Sequence, residues 1–169
     1  MGNFIEIDYA SVEQVAAVFE RAPDIAREEL LAAMTEADAL LEREVREATP
    51  TAHGLLRAGM FHTEQVSETG VIGVVGSPLN YAEPVELGTR PHFPPIAPLI
   101  DWVRVKLGVP EKEARGVAFL VARKIARSGT KGAFMFTKTL RAQEAAVQAI
   151  FHAALERIAE RIAAAGRSA

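Results

Sequence analysis

Tyr81-Ala82-Glu83-Pro84-Val85-Glu86-Leu87-Gly88-Thr89-Arg90-Pro91-His92 separates two kinds of sequence. Before it, Arg57 to Val66 and Val71 to Val75 are rich in alternating and β-branched residues, which predicts two antiparallel strands joined around Ser67-Glu68-Thr69-Gly70. After it, nearly every residue falls into helical periodicity. Within the stretch, Asn80 and Glu83 are spaced as a capping box, and Pro84 lies in the first turn, where a missing N–H does little harm. Gly88 stands where a two-turn helix needs a left-handed stop, and Pro91, Pro94 and Pro95 forbid its resumption. Thr89 to Pro95 is therefore expected to run extended, making a stiff corner.

Working outward, Phe4 to Tyr9 alternates apolar and acidic residues as a short strand would, and Ser11 with Gln14 predicts a brief helix that Pro23 closes. A long helix over about Asp24 to Ala48 follows, with Leu30, Met34, Ala37, Leu41, Val45 and Ala48 in one stripe and Pro50 beyond its end. Gly73 and Gly76 predict a bulge or the close approach of another backbone, such as a neighbouring subunit's. Downstream, Pro98 suits a first helical turn, Gly108 and Pro110 end that helix, and Glu111 to Ser128 forms a second, capped by Gly129. Gly129 to Ala133 is expected as a mobile loop, Phe134-Met135-Phe136 as an apolar plug, and Thr137 to about Ala165 as a last helix striped by Leu140, Val147, Phe151, Ala154, Ile158 and Ile162.

These elements predict an α+β fold in which long N- and C-terminal helices pack on a small antiparallel β-sheet, with a helical insertion before the last helix. The chain of 169 residues reads as one domain, with the sheet and long helices in 1–96 and 134–165 and the insertion over about 97–129. No apolar run is long enough to cross a bilayer and Met1 to Glu6 lacks a secretion signal, so the expectation is a protein made in a cytoplasm with no membrane partner. The absence of cysteine excludes disulfides, thiolate metal sites and a thiol nucleophile.

The net charge of −3 conceals a strong asymmetry. From Met1 to Glu47 there are twelve acids and four bases, whereas Ala114 to Gln143 contains no acid but carries Arg115, Arg123, Lys124, Arg127, Lys131, Lys138 and Arg141. Such segregation concerns association. The basic region has three readings: a solvated helix face, a partner for the acidic helices within or between subunits, or a contact for DNA.

Chemistry is hard to find. Ser77 lacks the second glycine of a nucleophile elbow and is followed by Pro78. Gly129-Thr130-Lys131-Gly132 lacks the spacing of a phosphate loop, and His53, His62, His92 and His152 show no metal-ligand spacing. Glu83 and Glu86 share one helix face rather than confronting each other across a cleft, so a paired-carboxylate hydrolase is the weakest reading. Glu86 instead suits an ion pair or cap at a subunit contact. No catalytic residue, cofactor or metal is expected, and Tyr81 and Trp102 are the large amphipathic residues to test at a contact surface.

The pattern Tyr81-Ala82-x-x-Val85-Glu86-x-Gly88-Thr89, preceded by Pro50-Thr51 and Gly54-Leu55-Leu56-Arg57 and followed by Gly129-Thr130-Lys131-Gly132 and Phe134 to Phe136, resembles the tailed-bacteriophage family of head-tail joining or tail-completion proteins. The three blocks match in order and spacing over roughly the whole chain after the first helix. The additional helix Glu111 to Ser128 departs from that pattern. The resemblance implies a structural virion protein of the neck or tail terminus, assembled in host cytoplasm as a ring, with a hexamer as the expected form. Its partners would be copies of itself, the head connector and the tail tube, with DNA passing through the ring. It further implies contacts to neighbouring subunits or the tail through Tyr81, Val85, Glu86, Gly88, Thr89 and Arg90. The alternative reading is a nonspecific DNA-binding module using the basic 115–141 region, and the third is a cell-wall hydrolase.

Overall fold

A computed structural model describes the backbone of residues 9–67 and 70–168, and side chains over 20–67 and 70–166. The fold is α+β, with six helices among the described residues. The elements are α1 (Tyr9–Ala48), α2 (Leu55–Ala58), β1 (Phe61–Ser67), β2 (Gly70–Gly76), α3 (Ala82–Leu87), β3 (Gly88–Thr89), α4 (Ile96–Leu107), α5 (Glu111–Ser128), β4 (Thr130–Lys131) and α6 (Met135–Ser168). The strands form two separate two-stranded sheets, β1-β2 and β3-β4.

The chain falls into two compact units: Met1–Leu40, Thr63–Val74 and Gln143–Ala169 form the first, and Leu41–His62 and Val75–Ala142 the second. In the first unit, Ala33 and Ala37 of α1 and Ala154 of α6 are buried. Small residues allow close helix approach. Arg157 Nε donates to Glu29 at 2.7 Å, while Arg161 reaches both Glu29 at 2.9 Å and Glu28 at 2.8 Å. These hydrogen bonds, Arg157's foremost, hold the Glu29 carboxyl below its ordinary pKa. Gly73 of β2 lies against the buried Asp38 carboxylate, which an added Cβ would force to move. Within the chain, the close approach at Gly73 is to a side chain of α1.

In the second unit, Val45, Leu56, Met60, Ala82 and Met135 form a core, with Leu79, Val85 and Phe136 packed against it. Glu42 pairs with both Arg46 and His62 beside this core, and Arg46 also donates to the Met60 carbonyl at 2.9 Å. Helices α4 and α5 pack on each other, with Val103, Ala114, Ala118 and Ala122 all fully buried. The boundaries expected for α5 hold.

Several expectations change. The strand over 4–8 lies outside the described residues. Rather than a brief helix and a long one, a single α1 passes through Pro23, whose ring is exposed. An interior proline costs about 3 kcal/mol, and a forty-residue helix has enough other hydrogen bonds and buried surface to absorb it. Leu55 to Ala58 is a helical turn, so β1 begins at Phe61 instead of Arg57. On α6 the buried residues of the first turns are Met135 and Thr139, whereas Leu140 is 56% exposed. Helix α6 starts two residues earlier than expected, and the inward face is set by Met135.

Candidate functional site

The corner and the segment before α6 are built into each other. Gly88 ends α3 with φ 81°, and β3 pairs antiparallel with β4, Gly88 opposite Lys131 and Thr89 opposite Thr130. The Thr89 and Thr130 hydroxyls lie 3.0 Å apart. Gly129 to Ala133 is thus a pairing strand and its flanks, not a mobile loop. Three glycines make this approach possible. A Cβ at Gly88 would strike the Thr130 carbonyl and sit 2.7 Å from the Gly132 nitrogen, one at Gly129 would strike the Thr89 carbonyl, and one at Gly132 would strike the Glu86 carbonyl. Backbone meets backbone at all three, so no side-chain shift relieves the clash.

Beside this bridge, Ala133 N–H donates to Val85 O at 2.8 Å and Phe134 N–H to Glu86 O at 3.0 Å. Phe134 adopts φ 55°, the left-handed region that a phenylalanine rarely enters, and it immediately precedes α6. It has no side-chain oxygen with which to cap that helix. Glu86 supplies one from 50 positions away: Phe136 N–H donates to Glu86 Oε2 at 3.0 Å, and Thr137 gives its N–H at 3.0 Å and its hydroxyl at 2.8 Å to Oε1. These are the orphan donors of a first helical turn, and a carboxylate there also complements the helix dipole. Burial pushes the Glu86 carboxyl up, but the bonds from Thr137, Phe136 and Met135 outweigh it and hold the pKa below its ordinary value. The capping role expected of Glu86 is real, and it is exercised inside the chain. Asn80 with Glu83 makes no equivalent cap for α3, whose N-cap position is held by Tyr81 with no side-chain bond.

The remaining motif residues divide cleanly. Val85 packs on the core, Gly88 and Thr89 are consumed by β3, and Tyr81 and Arg90 are exposed. Tyr81 also borders an open groove of about 560 Å³ with Pro50, Leu55, Leu56, Leu99 and Trp102. Its polar rim is already engaged: His53 pairs with Asp101 at 2.7 Å and Lys106 donates to the Thr51 carbonyl at 3.0 Å. Glu83 and Glu86 do not converge on it. Among the described residues, no group of three or more His, Asp or Glu side chains is arranged to hold a metal, and no helix is long and apolar enough to cross a membrane.

The basic residues behave differently. Arg115, Arg123, Lys124, Arg127 and Lys131 are all exposed, and among the described residues none forms an ion pair. Arg123, Lys124 and Arg127 edge a shallow hollow of about 290 Å³ with Leu120 and Ser128. Phe134, expected in an apolar plug, is 40% exposed, and Phe119 is 48% exposed. Phe119 meets Phe93 edge-on, with ring centroids 6.1 Å apart, while Lys138 lies 5.8 Å from the Phe134 ring. The segregation of charge follows the two units. The first holds 14 acidic and 5 basic residues, a net of −9, and the second 8 acidic and 14 basic residues, a net of +6.

Two features of this surface escaped sequence reasoning. Gly116 lies exposed in mid-helix, and an added Cβ there would meet nothing within 4 Å, so the chain's own packing gives no reason for a glycine. The β3–β4 bridge was hidden because two-residue strands have no periodicity; the glycines at 88, 129 and 132 were its one signal. No protein-family model matches the chain, and neither a curated protein nor a solved structure matches it.

Proposed function

We propose that this chain is a structural assembly protein of a tailed-phage virion, a ring-forming neck or tail-completion component that connects head and tail. The supporting observation is spatial. The three blocks of the family-like pattern, far apart in sequence, meet in the second unit: Leu56 lies in the core with Ala82 and Met135, Gly88-Thr89 pairs with Thr130-Lys131, and Glu86 caps the helix that begins at Met135. A pattern whose members hold one another in place is a fold determinant. That agrees with a part that works by shape, and its site residues then act mainly by fixing the corner that presents Tyr81, Arg90 and the basic helix.

In a closed ring each subunit offers two different faces to its neighbours. Opposite net charges, −9 on the first unit and +6 on the second, are the kind of complementarity that such a contact uses. Exposed charges are screened over about 8–10 Å near physiological ionic strength, so assembly is expected to weaken as salt is added.

The test is mass measurement and negative-stain imaging of the full chain, alone and with isolated tail tubes and head connectors. Closed annuli of one copy number, in either setting, support the reading. Failure to form annuli in every setting overturns it.

A further inference from the structure

The outer surface of α5 carries exposed residues that bond to nothing among the described residues. Gly116, Leu120, Arg123 and Arg127 recur at intervals of three, four and seven, so they share one side of the helix, opposite the buried Ala114, Ala118 and Ala122. Leu120 is 62% exposed, the two arginines are unpaired among the described residues, and the glycine leaves a smooth place where another surface can come close. Exposed apolar and arginine side chains around a bare patch of backbone have the composition of a protein contact. A surface made only for phosphates would gain nothing from Leu120.

We infer that this face docks on the acidic unit of a second copy of the same chain, with Arg123 and Arg127 set against Glu20 and Asp24 of α1. The inference rests on the self-assembly reading above and assigns it one specific contact. Charge complementarity selects the occupant: the first unit carries −9 even with Arg21 and Arg27 counted, against +6 on the second. Glu28 and Glu29 are taken by Arg157 and Arg161, whereas Glu20 and Asp24 are exposed and unpaired among the described residues. Spacing agrees as well. Both pairs are four residues apart, about 6 Å along a helix axis, so one turn of each helix can face one turn of the other. The contact joins unlike faces, which propagates head to tail and closes only by rotation.

The experiment is sedimentation at low salt of wild type, Arg123→Glu/Arg127→Glu, Glu20→Arg/Asp24→Arg, and an equal mixture of the two variants. Wild type is expected to self-associate, each variant alone to associate about tenfold or more weakly, and the mixture to recover, because opposite charges are restored across the contact. Gly116→Trp, whose side chain starts in open space, is expected to weaken association with the fold intact. Variants that associate as tightly as wild type overturn the inference while leaving the ring reading standing. A wild type that stays monomeric at low salt also overturns it, and the ring reading then falls only if annuli fail to form on tubes and connectors. Retention of duplex DNA through Arg123 and Arg127, with a log-log salt slope of several and no self-association, makes this a nucleic-acid face and overturns the inference too.

Discussion

The clasp at the corner and the outer face of α5 are close to opposites, although both contain glycines and charged residues. In the clasp, Gly88, Gly129 and Gly132 are forced by backbone contact, and the Glu86 carboxylate accepts three hydrogen bonds. On α5, Gly116 is forced by nothing and the cations bond to nothing described. The segment with the most distinctive wording is therefore occupied with its own architecture, while a plain basic helix carries the unspent potential. A conspicuous motif is poor evidence of a contact surface until its polar groups are accounted for.

Substitutions at the clasp should have the largest effects. Gly129→Ala places a Cβ against the Thr89 carbonyl at φ 67°, and an unfolding midpoint should report a loss of about 3 kcal/mol or more. A wild-type midpoint would show that β3 and β4 separate without penalty. Next comes Glu86→Ala, which strands the Phe136 and Thr137 donors and should cost about 2–3 kcal/mol, with Glu86→Gln recovering part of it.

The same carboxylate predicts a pH dependence. Its folded pKa is lowered from 4.5, so the unfolded chain binds the proton more readily. The stabilisation is present above 4.5 and is lost as pH falls through the lower folded value. Denaturation midpoints across this acid range should fall less steeply for Glu86→Gln than for wild type; parallel curves would remove Glu86 from the clasp's energetics. The smallest effects belong to the open face. Gly116→Ala should raise stability by about 0.5–1 kcal/mol, and Arg123→Glu/Arg127→Glu should change it by no more than about 0.5 kcal/mol per site. A large loss from either would mean that α5 is less exposed than its described surroundings indicate.

What could be read from sequence follows the range of the forces involved. Gly88 and Gly129 announced their helix ends because a positive φ is a local requirement that glycine meets, although both take an extended ψ rather than the left-handed helical one expected, and α5 was bounded correctly by Pro110 and Gly129. The apolar stripe of α6 was right from Val147 onward. Reading failed where tertiary partners decided. Pro23 looked like a boundary because local rules do not know how long a helix is being held, and Asn80 lost its capping role to a turn centred on Tyr81. Thr139 displaced Leu140 from the inner face because Met135 sets the phase of that turn. Most of all, Glu86 reads as a surface acid until the residues 50 positions later are placed beside it.

The β3–β4 bridge fixes more than the corner. Thr89 and Thr130 are 41 positions apart yet touch through their hydroxyls, so the whole excursion through α4 and α5 leaves and returns at a single doorway. The segment also leans on the frame through Asp101 with His53 and Lys106 with the Thr51 carbonyl, so the doorway fixes where it starts and ends while α4 fixes how it lies.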